Sequence, residues 1–165
     1  MTFQHIDACA LAIVEPIIQG TGLAVLAGDY DGYARFFRIP FTIQTELGEV
    51  SVASHDQHRE MFDRVRWRYR AMKVTESRRR ILAAHLFAND QMLCVHESTL
   101  LSGGSVVNES IKVLSTLSEV DGTWLIIDSR YAVGKSISLN RALYGPRFSE
   151  VEKIAQEVID PIPLR

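Results

Sequence analysis

The stretch that decides the fold is residues 79–133, RRILAAHLFANDQMLCVHESTLLSGGSVVNESIKVLSTLSEVDGTWLIIDSRYAV. Apolar and polar residues alternate through most of this stretch, which is the pattern of strands with one buried face. Asn89-Asp90, Ser102-Gly103-Gly104-Ser105 and Asp121-Gly122 interrupt the alternation with residues that favour tight turns. The stretch therefore predicts an antiparallel meander of four long strands, over residues 79–88, 91–101, 106–120 and 123–133.

The first half of the chain predicts helices that cover this sheet. Residues 5–27 carry apolar side chains at three- and four-residue spacing, which predicts a helix. Pro16 falls inside it, so the helix either kinks there or begins later. A short helix is predicted over Tyr30 to Phe37. Ser54, followed by Gln57 at capping-box spacing, begins the next helix.

The remaining segments predict shorter elements. Phe41–Thr45 and Val50–Ala53 flank a turn and read as a pair of strands. We predict a loop over residues 134–147 and a final short helix over Ser149–Val158. The predicted domain covers residues 1–133, and residues 134–165 form a C-terminal extension of that same domain.

The length and composition restrict the classes of protein to which the chain can belong. At 165 residues the chain has the usual length of one domain. Its formal net charge of -2 argues against a general nucleic-acid-binding protein, because such proteins carry a marked basic excess. Glu15 and Pro16 interrupt the apolar stretch 8–14, so we predict neither a membrane span nor a signal peptide. We expect a cytoplasmic protein.

Two segments resemble a known superfamily. Residues 27–33, AGDYDGY, join the first helices, and residues 121–126, DGTWLI, open the last strand with a DG-x-W-x-I pattern. Over roughly residues 5–133 the chain resembles the nuclear transport factor 2-like (NTF2-like) superfamily, and we predict its SnoaL-like branch. The resemblance implies an α+β fold, the NTF2-like cone, in which N-terminal helices pack on a curved, mainly antiparallel sheet that encloses a pocket. It also implies a homodimer formed through the sheet.

The resemblance leaves the activity open. It implies a small hydrophobic or carbonyl-containing ligand bound in the cone, without catalysis. One alternative is a lyase or isomerase of the SnoaL or dehydratase type with His/Asp acid–base chemistry, and another is a non-catalytic assembly module. Residues 41–45 contain no acid where ketosteroid isomerases carry their aspartate base, which disfavours that mechanism. Whether the protein is an enzyme stays open at this point.

The hairpin turns predict which side chains share a face of the sheet. If each strand pairs symmetrically about its turn, His85, His96, Asp128 and Arg130 lie on one face, and the opposite face is more apolar. We predict that the polar face lines the pocket, with His85, His96 and Asp128 as the candidate catalytic set, and that the apolar face forms the dimer contact. The predicted ligand contacts are Tyr30, Tyr33, Phe37, Phe62, Trp124 and Arg130.

Two other groups of residues are interpreted as structural. A metal site built on His85, His96 and Cys94 is disfavoured because no ligand set has a convincing spacing, and we expect neither a metal nor another cofactor. The arginines of the third helix and of the triplet Arg78-Arg79-Arg80 form a basic cluster. A solvated helix face and strand start is the favoured interpretation of this cluster, and an anionic ligand or partner is the alternative.

Overall fold

The computed structural model describes residues 6–133 and 137–147, which form helices and one large sheet. In chain order the elements are α1 (Ala8–Ala27), α2 (Tyr30–Ala34), β1 (Phe37–Thr45), β2 (Gly48–Val52), α3 (His55–Ala71), β3 (Glu76–Ala88), β4 (Gln91–Ser102), β5 (Ser105–Val106), β6 (Ile111–Val120), β7 (Thr123–Ala132), α4 (Ile137–Tyr144) and a 3-10 turn (Gly145–Arg147).

The sheet is seven-stranded and curved, with the order β2-β1-β7-β6-β4-β3 and the short β5 paired to the end of β4. The predicted meander is confirmed, since β3, β4, β6 and β7 pair antiparallel around the predicted turns. Strand β6 begins only at Ile111, because 107–110 leave the sheet as a loop. The one parallel pair among the described strands joins β1 to β7. The fold class is therefore the predicted α+β cone.

Three β-bulges decide which side chains face the helices. In β3 the pairing shifts between Ile81 and Ala83 and again between Leu86 and Ala88. In the β6–β7 pair it shifts at Leu117, which lies opposite Ile126, while Thr116 lies opposite Asp128. Each bulge places two residues opposite one and reverses the faces beyond it. We call the face that packs under the helices the inner face and the opposite one the outer face.

Helix α1 packs along β3 and supplies much of the core. Asp7 caps its first turn by accepting a hydrogen bond from the Cys9 amide at 2.8 Å, and Pro16 lies inside the helix. Its buried side includes Val14, Ile18 and Val25. By length and composition alone α1 is apolar enough to cross a membrane. In this structure one side of α1 packs in the core, and Leu23 on the helix is exposed.

Helix α3 begins where the capping box predicts. Ser54 Oγ accepts from the Gln57 amide at 3.2 Å, and Gln57 Oε1 accepts from the Ala53 amide at 2.8 Å. The first bond satisfies an amide that the first turn of a helix leaves unpaired, and the second ties Gln57 to the residue before the cap.

Two local predictions were wrong. The helix predicted to reach Phe37 ends at Ala34, and Pro40 lies inside β1 after a cis peptide bond. The loop predicted for residues 134–147 contains α4, which packs on α3 and is tied to β1 by Thr45, whose Oγ1 lies 3.1 Å from Asn140 Oδ1. The helix predicted over Ser149–Val158 lies outside the described residues.

Candidate functional site

A small cavity lies between the inner face of the sheet and helices α1, α3 and α4. Its volume is about 70 Å³, enough for a few water molecules or a very small ligand. The apolar part of its wall comes from the helices and from β1, β4, β6 and β7. The side chains that give the wall its polarity are Thr21, Tyr33, Arg68, Tyr69, Arg79, His96, Ser98, Asn108, Glu109, Ser115, Ser129 and Tyr131.

Arg79 reaches the cavity from the inner face of β3 and is fixed by α1. Its Nη1 donates to the Ile18 carbonyl at 3.2 Å and to Thr21 Oγ1 at 2.6 Å. Its buried Nε has no hydrogen-bond partner among the described residues. A Cβ on Gly22 would lie 3.0 Å from this Nε, so the glycine allows the guanidinium to lie against the helix. Arg79 is therefore a positioned cation with unused donor capacity.

His96 lies at the centre of the sheet, opposite Ile81 on β3 and Val113 on β6. Its side chain is 5 % exposed, and its Nδ1 has no hydrogen-bond partner in the described structure. Burial lowers the pKa of His96 to about 3, and the positive charge of Arg79 contributes to the shift. The imidazole is therefore neutral at pH 7 and can present one donor and one acceptor to a ligand.

Hydroxyl groups supply further polar atoms to the wall. Tyr33 on α2 is buried, and burial raises its pKa well above the usual value. Burial also raises the pKa of Tyr131, although Arg79 opposes that shift. Ser115 and Ser129 lie on adjacent strands with their Oγ atoms 3.2 Å apart. These neutral groups can donate hydrogen bonds to a carbonyl oxygen.

A second arginine enters the cavity from α3. Arg68 is 5 % exposed, and its Nε donates to Ser138 Oγ at 3.0 Å. No other hydrogen bond of its guanidinium is formed with the described residues, and burial lowers its pKa. The carboxylate nearest to the cavity within the described chain is Glu109, an exposed residue of the loop between β5 and β6. Arginine thus dominates the charge of the closed part.

The structure does not bring the predicted catalytic residues His85, His96 and Asp128 together. His96 alone reaches the cavity, whereas His85 pairs with Leu93 and is exposed on the outer face. Asp128 also lies on the outer face, with its Oδ1 3.9 Å from Arg130 Nε. The bulges in β3 and β7 reversed the faces that a symmetric register predicts. Arg130, predicted to contact the ligand, is likewise an outer-face residue.

The other predicted ligand contacts divide between the cavity and the core. Tyr33 and Phe37 line the cavity. Phe62 is buried beside them without lining it, and Trp124 packs against the core at the start of β7. The hydroxyl of Tyr30 donates to the His55 carbonyl at 3.0 Å, so it is occupied within the helix layer. Of the two tyrosines at the joint between the first helices, Tyr33 alone therefore lines the cavity.

Sequence reasoning missed the two arginines that enter the cavity. Arg79 was grouped with its neighbours Arg78 and Arg80, whose side chains are exposed and paired with carboxylates. Strand alternation contained the signal, because the middle residue of three must face away from the other two. The signal for Arg68 was its spacing of three residues from Val65, on the apolar stripe of α3.

The arrangement favours binding over acid–base catalysis. Guanidinium and phenol groups donate hydrogen bonds to an oxygen that carries partial or full negative charge. A histidine with a pKa of about 3 is a weak base at pH 7. Because the only carboxylate among the described lining residues is on the exposed loop, the closed part has no acid to orient that histidine.

Comparison with known proteins supports the fold alone. No protein-family model matches the sequence, and no curated protein matches it either. An NTF-2 like protein of unknown function from Shewanella oneidensis MR-1 is 14% identical, with a TM-score of 0.58 over 73% of this chain and 97% of that one. A domain of unknown function with a cystatin-like fold from Nostoc punctiforme PCC 73102 is 11% identical, with a TM-score of 0.60 over 94% of this chain and 99% of that one.

The structure of LinA is also similar, at 12% identity and a TM-score of 0.58 over 75% of this chain and 85% of that one. The chain therefore has the NTF2-like fold, an α+β cone also called cystatin-like. The SnoaL-like branch is consistent with these neighbours and stays a prediction. The homodimer and the cytoplasmic location also stay predictions.

Proposed function

We propose that the protein binds a small carbonyl-containing ligand in the cavity between its helices and its sheet. The observation that carries the proposal is that Arg79 and His96, which both line the cavity, each have a buried side-chain nitrogen without a hydrogen-bond partner among the described residues, Nε of Arg79 and Nδ1 of His96. A buried polar atom without a hydrogen bond costs about 1–3 kcal/mol, which a ligand oxygen or N–H group would offset. Apolar walls with a few convergent polar groups are typical of small-molecule sites.

The cavity volume restricts the ligand to a small molecule or to the small end of a larger one. A volume of about 70 Å³ excludes a steroid-sized compound. Acetone, acetamide and acetate are therefore suitable probes, since they share one carbonyl group and differ in charge and hydrogen bonding. Ligand-observed saturation-transfer NMR detects weak binding of each probe.

A pair of neighbouring substitutions on β6 tests whether binding occurs in the cavity. Val113 lines it, and the adjacent Leu114 lies on the outer face. Val113→Phe fills cavity space and is expected to abolish the saturation signal, while Leu114→Phe leaves the signal unchanged. Retention of the signal in Val113→Phe, or no saturable signal from any probe with the unmodified protein, contradicts the proposal.

A further inference from the structure

We propose that the ligand is an anion, a small carboxylate held between Arg68 and Arg79. This inference rests on the proposed function and adds the charge of the ligand. Two arginines line this cavity from opposite layers, Arg68 from α3 and Arg79 from β3. Among the described residues neither forms an ion pair.

The contrast with neighbouring arginines shows that this pattern is specific to the cavity. Arg78 lies 3.0 Å from Glu76, and Arg80 lies 3.1 Å from Glu97, both at the surface. Arg79, between them in sequence, donates to the neutral Ile18 carbonyl and the Thr21 hydroxyl and to no carboxylate within the described chain. Strand β3 thus pairs its two exposed arginines with carboxylates. Arg79, which faces inward, has no carboxylate partner among the described residues.

Burial of positive charge without compensation is unfavourable, and Arg68 is buried while Arg79 is partly buried. Removing a guanidinium from water is unfavourable unless a counter-charge and hydrogen bonds offset the lost hydration. Arg79 helps to keep His96 neutral, so the site does not accept a third positive charge. Neutral acceptors such as Ser138 Oγ satisfy single donors without balancing the charge. A bound anion would balance it.

A carboxylate fits this wall better than a neutral carbonyl. Arginine donates two parallel hydrogen bonds to a carboxylate, and charge-assisted bonds are about twice as strong as neutral ones. The hydroxyls of Tyr33 and Tyr131 are protonated and can donate to the same oxygens. The apolar walls would then contact the carbon substituent. A free inorganic anion shares the charge and lacks that substituent.

The test compares acetate with acetamide, which has a similar size and no charge, and with chloride and phosphate at matched ionic strength. Binding is followed by saturation-transfer NMR for the organic probes and by the thermal unfolding midpoint for all of them. We expect acetate to bind at least about tenfold more tightly than acetamide, because one charge-assisted hydrogen bond contributes about 1.5–3 kcal/mol. Stronger stabilisation by phosphate or chloride than by acetate overturns the carboxylate assignment.

Arg68→Met supplies the variant, and Arg70→Met, which changes an exposed residue on the same helix, is its control. Arg68→Met is expected to weaken acetate binding by about tenfold or more and to leave acetamide unaffected. In buffer with minimal anions it is expected to raise the unfolding midpoint, because a desolvated charge is removed. The control changes neither quantity.

The outcomes separate the two proposals. If no probe binds, both the proposed function and this inference fail. If acetate and acetamide bind equally and Arg68→Met alters neither, the cavity is a ligand site and only the anionic assignment fails. The comparison of acetate with acetamide uses the unmodified protein, so it decides the question even if Arg68→Met does not fold.

Discussion

We predict that two buried, neutral histidines make the folded protein less stable at pH 5 than at pH 7. His58 on α3 is 0% exposed, and its ring stacks on Tyr33 with centroids 5.2 Å apart. Burial lowers its pKa to about 4, and nearby His55 adds to the shift. Burial lowers the pKa of His96 to about 3. Both side chains therefore stay neutral in the folded protein at pH 5, whereas histidine in an unfolded chain titrates near pH 6.5.

The size of the effect follows from the linkage between proton binding and folding. As the pH falls below 6.5, the two histidines bind protons in the unfolded chain but not in the folded one. The free energy of unfolding therefore falls as the pH falls. In the unfolded chain the pKa of histidine lies about 1.5 units above pH 5. This difference corresponds to a loss of about 2 kcal/mol in the free energy of unfolding for each histidine. The two together remove about 4 kcal/mol, a large part of the roughly 5–15 kcal/mol that typical proteins have.

Urea unfolding at pH 7 and pH 5, followed by tryptophan fluorescence, measures this loss. His58→Phe keeps an aromatic ring beside Tyr33 and cannot titrate. We expect the variant to lose about 2 kcal/mol less than the unmodified protein between the two pH values. Carboxylates titrate in both proteins, so their contribution cancels in the difference.

His85→Gln is the matched control, because His85 is exposed on the outer face. It is expected to change the pH dependence by much less than His58→Phe does. The reasoning is refuted if His58→Phe and the unmodified protein lose the same free energy of unfolding between pH 7 and pH 5, whatever their absolute stabilities.

Three further predictions concern the cavity and the thiols. Gly22→Ala places a Cβ 3.0 Å from Nε of Arg79, so we expect weaker acetate binding in NMR titrations, and unchanged affinity contradicts this placement. Glu109→Gln removes the carboxylate at the cavity rim and is expected to strengthen acetate binding about twofold or more without altering acetamide binding, since it removes a like charge. Burial raises the pKa of Cys94 to about 12, so a thiol reagent should label only the exposed Cys9 until the protein is denatured, as mass spectrometry of the labelled protein would show.

The topology was predictable because its signals are local. The turns at Asn89-Asp90 and Asp121-Gly122 fixed the ends of the strands, and Ser54 with Gln57 fixed the start of α3. Turn and cap preferences act within four residues, so they can be read from a single segment. Helix α4 was missed for the opposite reason. It has only eight residues, too few to be stable as an isolated helix, and it depends on packing against α3.

The site was not predictable from strand alternation because bulges carry no clear sequence signal in this chain. A symmetric register placed His85 opposite Cys94, and the bulge near Leu86 places Ala84 there. A second bulge, between Ile81 and Ala83, shifts the pairing once more, so that His96 lies opposite Ile81. Because the side-chain period of a strand is two, each single-residue shift moves a predicted site residue from one face to the other. His96 reached the predicted pocket, and its proposed partners did not.

The polar and charged side chains of the cavity each destabilise the folded protein unless a bound ligand offsets the cost. Arg68 and Arg79 are inward-facing charges without carboxylate partners in the described chain, and His96 has a buried nitrogen without a hydrogen bond. Gly22, which admits Arg79, lies in a helix interior where alanine would be more stable by about 1 kcal/mol. A core selected only for stability would replace such groups with apolar side chains of similar size. Their position around one cavity is instead the pattern expected where stability is given up for binding, although two further buried atoms without partners, His58 Nε2 and Ser77 Oγ, belong to residues that do not line it.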